Sequence, residues 1–506
     1  MRRLFLVGLL GALGVAAGCG GQSSSTLPGT LTMSPVGQSI VAGQSINVSV
    51  NISNYKGASA SDVTWSLSGP GLLSSQLPGG AATYTAPFSV TTNANVVVTA
   101  SLGSGVSGYV PLTVVPLNTI TNVQPVNVNG GPTNKIHPNG AFTSVTICAP
   151  GTTNCSTIDG ILVDTGSVGL RVLASALPSL SGVTASNGGP FNECFQFVDQ
   201  SYVWGQVVLA DVRIAGEVAG SISIQSIADP TGFAIPADCT QNGAGKDDDN
   251  QENLGANGIL GVGLQPQDCG AACDPSAGGT PPGPAYYSCS SNCSAAFVPL
   301  ALQVAHPAVF FATDNNGVSL QLPAVSGASS SVSGTMTFGI GTQLNNGLAG
   351  LTVFTVDSND NFTANLTSTG QSLTSSFIDS GSNGLFFPDS SIPTCPSADS
   401  TFFCPSSLTP ITATNVGANK AQSTINFNVD NADNLFAENP ADTAFSTLAG
   451  PNGIGQCSGG SGACSFDWGL PFFYGRNVVT AINGQSVPLG TPPAPWWAYA
   501  TGFSGQ

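Results

Sequence analysis

The sequence contains two related stretches: residues 160–173 read Gly-Ile-Leu-Val-Asp-Thr-Gly-Ser-Val-Gly-Leu-Arg-Val-Leu, and residues 375–388 read Ser-Ser-Phe-Ile-Asp-Ser-Gly-Ser-Asn-Gly-Leu-Phe-Phe-Pro. In each stretch an apolar, strand-like run leads into Asp-(Thr/Ser)-Gly-Ser, and a hydrophobic exit that begins with leucine follows. One such tetrapeptide would be weak evidence, because Asp, Ser, Thr and Gly are common in any turn. Two copies, far apart in the chain, predict one copy in each of two lobes.

The two aspartates of these stretches, Asp164 and Asp379, are the candidate catalytic pair. Two carboxyl groups held within hydrogen-bonding distance share one proton, because ionising both is unfavourable, and their pKa values move apart. The ionised member can then take a proton from water while the protonated member polarises a carbonyl oxygen. The pattern therefore indicates hydrolysis by acid and base catalysis.

The residues that follow each aspartate are predicted to hold the pair in place. The two glycines allow backbone amides to approach the carboxylates. The hydroxyl directly after each aspartate is expected to tie the two loops together, and the third-position serine is expected to orient the carboxylate. These supporting residues are Thr165, Gly166, Ser167, Ser380, Gly381 and Ser382.

Both motifs resemble those of the pepsin-like aspartic peptidases, and four other stretches follow in that family's order. These stretches are residues 257–263, 307–311, 334–339 and 468–476. The resemblance covers about residues 120–506 and implies a mainly β, bilobal pepsin-like (acid protease) β-barrel domain. Its N-lobe would span 120–330 and its C-lobe 331–506. The resemblance also implies a peptide or protein substrate in the inter-lobe cleft, water as the nucleophile, and no metal or organic cofactor.

Three features depart from that family's pattern. Residues 196–216 stand where a flap closes over the substrate, and Tyr202, the possible flap tyrosine, does not align cleanly. Pro471 stands where the second structural glycine is expected, which predicts a distorted backing for Asp379. Arg171 follows Asp164 closely, so its cation is expected to lower the pKa of the pair.

Two functions remain open from the sequence. The first is an aspartic endopeptidase of the cell envelope. The alternative is a catalytically inactive surface protein of the same fold that binds peptide, protein or glycan. A chain can keep its fold after losing catalysis, and the domain also resembles bacterial lipoprotein families of unassigned function. Residues 246–250 and 357–360 have oxygen ligands for Ca²⁺ but lack EF-hand spacing, so solvated loops are the better interpretation.

The N-terminal sequence is typical of an export signal. Arg2 and Arg3 precede an apolar run over residues 4–17, which is too short to span a bilayer. The Ala-Ala-Gly-Cys sequence that ends at Cys19 resembles a lipoprotein cleavage box, although Ala16 stands where that family usually has leucine. The expectation is a signal peptide at 1–19, lipidation of Cys19, and anchoring in the bacterial cell envelope, at the outer membrane or cell surface. Ordinary cleavage nearby is the alternative.

A small β domain is predicted after the signal. Residues 20–30 are rich in Gly, Ser and Thr and suggest a flexible tether. Residues 31–116 alternate apolar and polar positions between turn signals, which predicts a β-sandwich with Trp65 filling its core. Together with the segment at 84–87, this region resembles a bacterial immunoglobulin-like module. A spacer is the first interpretation, and an adhesin is the alternative.

Cysteines and charge limit the possible environments and partners. Of the 13 cysteines, the twelve other than Cys19 lie between residues 148 and 464, and their even number in an exported chain indicates disulfides. The predicted pairs are Cys148 with Cys155, Cys395 with Cys404, and Cys457 with Cys464. A zinc site over 269–293 is the alternative. The net charge of −17, with nine Lys and Arg, argues against nucleic acid partners. The protein is expected to be a monomer and to contact the membrane only through its lipid.

Overall fold

The computed structural model describes residues 30–34, 38–53, 59, 62–77, 81–87, 90–103, 105–116, 122–133, 136–185, 189–228, 232–396, 401–451 and 464–500. The predicted signal peptide, Cys19 and all of the predicted tether except residue 30 lie outside these residues. The described chain is mainly β, as the sequence predicts. None of the helices in the described segments has the length and apolar character needed to cross a membrane.

The N-terminal region forms two four-stranded sheets. Its strands are β1 (Thr30–Ser34), β2 (Gln38–Val41), β3 (Ser45–Ser53), β4 (Val63–Ser68), β5 (Leu72–Leu77), β6 (Ala81–Thr85), β7 (Ala94–Leu102) and β8 (Val106–Val115). One sheet has the order β1-β3-β6-β5 and the other β2-β8-β7-β4. Apolar side chains from both sheets, such as Val48, Val98 and Val110, form one buried cluster. This sharing of a core by two sheets defines a β-sandwich.

Tyr84 is fully buried in the core of this sandwich, whereas Trp65 is not. Trp65 is only half-buried and packs against the edge of the cluster, because β4 lies at the end of its sheet. Tyr84 lies on β6, inside the other sheet, and is fully buried. Its hydroxyl donates a 2.6 Å hydrogen bond to the carbonyl oxygen of Pro70. A buried tyrosine hydroxyl needs such an acceptor. Because Trp65 is only half-buried, the expectation that it fills the core is wrong.

The rest of the described chain contains many short strands and two short α-helices. The first group of strands is β9 (Val123–Val128), β10 (Ala141–Cys148), β11 (Cys155–Asp164), β12 (Val168–Leu173), β13 (Ser181–Gly182), β14 (Phe191–Gln196), β15 (Ser201–Ile214), β16 (Glu217–Ile227), β17 (Lys246–Asp247), β18 (Gly258–Val262), β19 (Tyr286–Cys289) and β20 (Cys293–Ala295). The second group is β21 (Gly317–Gln321), β22 (Ala328–Ser329), β23 (Val332–Phe338), β24 (Thr352–Thr355), β25 (Phe362–Leu366), β26 (Gln371–Ile378), β27 (Leu385–Phe386), β28 (Thr409–Val416), β29 (Gln422–Val429), β30 (Ala444–Phe445), β31 (Ala449–Gly450), β32 (Asp467–Trp468), β33 (Asn477–Ala481) and β34 (Trp496–Tyr499). The helices are α1 (Gln251–Leu254) and α2 (Ala432–Glu438), and the 3-10 helices are Ala174–Ala176, Gln241–Gly243, Gly270–Cys273, Pro275–Ala277, Leu300–Leu302, Pro307–Phe310 and Leu470–Phe473.

Two strands with the same kind of surroundings lead to the two aspartates. Strand β11 ends at Asp164, pairs antiparallel with β10 and pairs parallel with β18. Strand β26 ends at Ile378, directly before Asp379, pairs antiparallel with β25 and pairs parallel with β32. Both parallel partners are buried; β18 is apolar throughout, as expected for a strand covered on both faces, whereas β32 consists of Asp467 and Trp468.

A shared set of strand pairings joins the two halves of this region. Strand β9 pairs with β10 on one side and with β23 on the other. Strand β21 then pairs with both β23 and β33, and β33 pairs with β34. The N-terminal sandwich contacts this sheet through Gln44, which donates to the Thr337 hydroxyl at 2.9 Å.

Most of the described disulfides link cysteines at most nine residues apart, and Cys194–Cys239 spans 45 residues. The bonded pairs in the described part of the chain are Cys148–Cys155, Cys194–Cys239, Cys269–Cys273, Cys289–Cys293 and Cys395–Cys404. Cys464 is also disulfide-bonded, and its predicted partner Cys457 lies outside the described residues. Because the cysteines between 269 and 293 are oxidised, they offer no thiolates to a metal, and the zinc alternative is wrong.

Removing the hydroxyl of Tyr84 is expected to destabilise the sandwich. In Tyr84→Phe, the Pro70 carbonyl loses its donor, so the free energy of unfolding of the sandwich should fall by about 0.5–1.5 kcal/mol. Amide hydrogen exchange in β6 measures this change locally. Tyr109→Phe is the matched control, because Tyr109 lies on β8 with 69% of its side chain exposed. Equal exchange rates in the two variants would contradict the prediction.

Candidate functional site

The two aspartate loops are tied together by reciprocal hydrogen bonds. The Thr165 hydroxyl donates to the carbonyl oxygen of Ile378 at 3.0 Å and accepts from the Ser380 backbone N–H at 2.9 Å. The Ser380 hydroxyl donates to the carbonyl oxygen of Val163 at 2.7 Å and accepts from the Thr165 backbone N–H at 3.1 Å. Both hydroxyls are buried and fully bonded, so the relative position of the two loops is fixed.

Each aspartate is also held by its own loop. Oδ1 of Asp164 accepts from the Gly166 N–H at 2.8 Å, and its Oδ2 accepts from the Ser167 hydroxyl. Oδ1 of Asp379 accepts from the Gly381 N–H at 2.7 Å, and its Oδ2 accepts from the Ser382 hydroxyl at 2.9 Å. The structure therefore brings together Asp164, Asp379 and all six predicted supporting residues.

The two glycines are needed because each carboxyl group lies against the opposite loop. A Cβ atom on Gly166 would lie 2.7 Å from Oδ1 of Asp379, and one on Gly381 would lie 2.7 Å from Oδ1 of Asp164. Real Cβ atoms do not come so close to other heavy atoms, so only glycine fits at either position. The contact also shows how near each carboxyl group is to the other aspartate's loop.

The surroundings favour a proton on Asp379. Burial, followed by the negative charge of Asp164 and that of Asp467, holds the pKa of Asp379 well above its usual range. A hydrogen bond with Asp164 acts in the same direction. Two carboxyl groups in this relation are able to keep one shared proton at a pH where isolated carboxyl groups are ionised.

A third carboxyl group, which the sequence analysis did not single out, lies behind Asp379. Asp467 begins β32 with 2% of its surface exposed, and the Ser382 hydroxyl lies 2.7 Å from its Oδ2. Burial raises the pKa of Asp467 to about 8. The sequence signal for this residue is a single charged position within a stretch that is otherwise apolar, directly before Trp468.

The structural glycine behind Asp379 is Gly469, so the expectation for Pro471 is wrong. In the first half, Asp164 lies opposite Gly261 in the parallel pair β11–β18. In the second half, Ile378 lies opposite Trp468, which brings the next residue, Gly469, opposite Asp379. Pro471 lies beyond this point in a 3-10 helix and does not distort the strand that backs Asp379.

Arg171 does not act on the aspartate pair as the sequence analysis expects. Its guanidinium donates to Glu193 at 2.6 Å and to Asp268 at 2.8 Å, and its Cζ lies 3.7 Å from the ring centroid of Phe195. These buried carboxyl groups balance its charge. The pKa of Asp379 is raised and not lowered, so the expected effect of Arg171 is wrong.

The remaining predicted site residues lie elsewhere. Tyr202 is the second residue of β15 and lies opposite Gln196, buried in a cluster with Trp204 and Tyr287. Its role in a flap stays a prediction. In the two acidic segments, 246–250 and 357–360, carboxylates accept hydrogen bonds from backbone N–H groups of their own turn or of a neighbouring strand. Asp249 accepts from the Trp204 N–H at 2.7 Å, and Asp357 accepts from two N–H groups of its own turn.

Adding a methyl group at Gly469 should displace the loop of Asp379. The new Cβ of Gly469→Ala would lie 2.7 Å from the Ser382 carbonyl oxygen and closer still to that of Gly384. Overpacking of this kind costs about 1–3 kcal/mol of unfolding free energy, which urea denaturation measures. Gly347→Ala is the control, because a Cβ there meets no atom within 4 Å. Unchanged stability in both variants would refute the assignment of Gly469.

Removing the cation of Arg171 should leave two buried carboxyl groups without compensation. Arg171→Met is expected to lower the free energy of unfolding by about 3–5 kcal/mol at pH 7. Burial already holds the pKa of Glu193 well above its usual range, so protonation at lower pH should reduce the loss. Denaturation at pH 7 and pH 4.5, compared with the exposed Arg213→Met, measures both effects. A loss that does not depend on pH would show that only packing is affected.

Comparison with known proteins gives a family and a likeness among solved structures. No curated protein sequence matches this chain. Among solved structures, the chain is similar to an aspartic proteinase from Irpex lacteus at 13% identity and a TM-score of 0.41, over 75% of this chain and 96% of that chain. Residues 118–499 match the model of the family described as "Protein of unknown function (DUF3443)". Because the match covers more than half of the sequence, this chain belongs to the DUF3443 family.

Proposed function

We propose that this protein is an aspartic endopeptidase of the bacterial cell envelope, with Asp164 and Asp379 as its catalytic pair. The observation that carries the proposal is the reciprocal bonding of Thr165 and Ser380, which places each aspartate against the glycine of the other loop. Such an arrangement serves to hold two carboxyl groups at one point. Holding like charges together is unfavourable unless they share a proton, and a shared proton is what peptide hydrolysis needs.

The proposed reaction uses water and the two carboxyl groups. The ionised aspartate takes a proton from water as its oxygen attacks the carbonyl carbon of the peptide. The protonated aspartate donates a hydrogen bond to the carbonyl oxygen. When the C–N bond breaks, the leaving nitrogen takes a proton from the pair, so acid and amine products leave and the pair returns to its singly protonated state. Asp379, with its raised pKa, is the acid at the start.

Burial of the pair supports this division of roles. Asp164 and Asp379 have 6% and 7% of their surface exposed, so a small face of each remains open to a substrate. Asp164 is bonded by Ser167 and Gly166 and lies beside no third carboxyl group in the first loop. Asp379 has Asp467 behind its serine. The two aspartates thus differ in their surroundings, which is what separates an acid from a base.

The proposal extends to the whole chain. A pepsin-like bilobal domain, with lobes at about 120–330 and 331–506, would hold the site between its halves. The two-sheet arrangement of residues 30–115 supports an immunoglobulin-like spacer. The disulfides support an oxidising, exported location. Cys19 would carry the lipid that anchors the protein, and the substrate would be a peptide or an unfolded protein segment in the cleft.

Peptide hydrolysis should require both aspartates. With the full chain purified in mild detergent and a mixed peptide library at pH 3–9, wild type is expected to cleave. Asp164→Asn and Asp379→Asn should each lower kcat/KM by on the order of 10²–10⁴-fold, because each removes one partner of the shared proton. Mass spectrometry of the products gives the cleavage sites.

The control for this experiment is Asp159→Asn. Asp159 is an exposed residue of β11, the strand that leads to Asp164, so its variant should cleave like wild type. A transition-state analogue with a hydroxyl in place of the scissile carbonyl should block cleavage. Well-folded wild type without cleavage at any pH would refute the proposal and favour a binding protein.

A further inference from the structure

Two carboxyl groups of the site meet at one hydroxyl. Oδ2 of Asp467 lies 2.7 Å from the Ser382 hydroxyl oxygen, and Oδ2 of Asp379 lies 2.9 Å from the same atom. A serine hydroxyl has a single hydrogen to donate. Only one of the two carboxyl groups can therefore receive it, and the other must donate a proton of its own to make a hydrogen bond.

The contacts favour Asp467 as the carboxyl group that keeps the proton. Oδ1 of Asp379 accepts from the backbone N–H groups of Gly381 and Ser382, so this carboxyl group has hydrogen-bond donors of its own while it shares a proton with Asp164. Asp467 is 2% exposed, and its Oδ1 is buried with no hydrogen-bond partner in the described part of the chain. An ionised carboxylate in that position would be poorly solvated. The proton on Asp467 then points to Ser382, and the hydrogen of Ser382 points to Asp379.

The first loop has no carboxyl group at the equivalent position. In the parallel pair β11–β18, the residue two positions before the glycine is Ile259, opposite Leu162. In the pair β26–β32, the equivalent position opposite Phe377 is Asp467. In both loops the glycine N–H donates to Oδ1 of the aspartate and the serine hydroxyl donates to Oδ2. The carboxyl group behind Ser382 is thus a specific addition to the side of Asp379.

The charged groups that act on Asp379 are carboxyl groups, and the next cation along the chain has other partners. The ionisable groups that act on Asp379 are Asp164 and Asp467. Arg476, the next cation along the chain, donates to the Phe472 carbonyl oxygen and interacts with Tyr499. Within the described residues, Asp467 therefore has no cation to balance it, and its proton is the means by which its charge is removed.

We propose that Asp467 is a positioning residue that holds a proton and, through Ser382, sets the upper pH limit at which Asp379 works. The inference rests on the proposed function. While Asp467 is protonated, Ser382 donates to Asp379 and orients it. When Asp467 loses its proton, the hydrogen of Ser382 turns to the new carboxylate, Asp379 loses a donor, and a second negative charge arises beside the pair.

The proton on Asp467 is testable without peptidase activity. Its folded pKa is raised, so between the usual aspartate pKa and about 8 the folded state binds one proton more than the unfolded state. Stability from this group is full at low pH and is lost as pH rises towards 8. For the full chain in detergent, the pH dependence of unfolding between pH 5 and 7.5 should differ between wild type and Asp467→Asn by about one bound proton. Asp159→Asn should match wild type, because it changes an exposed group.

The link to Asp379 is tested by the pH profile of kcat/KM. The amide of Asp467→Asn donates to Ser382 at every pH, so the alkaline limb should move upwards by one pH unit or more while the acid limb stays. In a Ser382→Ala background, the Asp467 substitution should move the limb less, because only the charge of Asp467 still acts on Asp379. The inference is overturned if the pH dependence of the unfolding free energy is the same in Asp467→Asn and wild type. It is also overturned if an active Asp467→Asn enzyme has the same alkaline limb of kcat/KM as wild type. A changed slope in an inactive protein supports the proton on Asp467 and rejects the proposed peptidase. Should Asp467→Asn not fold, Asp467→Ser keeps a donor there, and its slope decides.

Discussion

The site depends on one interaction, the mutual capture of two hydroxyl groups by two backbone strands. Thr165 and Ser380 each donate to a carbonyl oxygen just before the opposite aspartate and accept from the N–H just after it. Neither loop can satisfy its buried polar groups alone, since each uses the backbone of the other. The aspartate pair therefore exists only when both halves of the domain are folded and joined, through the pairings of β9 with β10 and β23.

This interdependence places strict demands on a few residues. Gly166 and Gly381 must lack a side chain because the opposite carboxyl group fills that space. Gly261 and Gly469 must lack one because the aspartate loops fold directly over them. In each half, one glycine lies in the loop and another lies in the parallel strand beneath it. The sequence repeats because the same steric problem is solved twice.

These demands explain what the sequence reveals and what it conceals. The aspartate loops, the strands that lead to them and the short-range cysteine pairs are local patterns, so a single sequence displays them. The sequence points to Pro471 instead of Gly469 because the assignment depends on strand register, which is decided by tertiary pairing. Proximity in sequence predicts an effect of Arg171 on Asp164, but the partners of Arg171, Glu193 and Asp268, come from other strands and loops. The role of Asp467 is hidden for the same reason, since its partner Ser382 is distant in the chain.

The difference between the two halves matters as much as their likeness. Two identical loops would give two equivalent carboxyl groups, and the position of the shared proton would then be decided by the substrate alone. Here Asp164 rests on a loop backed by Ile259, and Asp379 rests on a loop backed by a carboxyl group. Because a buried charge behind Ser382 is unfavourable, the proton count of Asp467 controls the hydrogen bond that reaches Asp379. The repeat thus contains, in one residue of β32, the asymmetry that an acid and a base require.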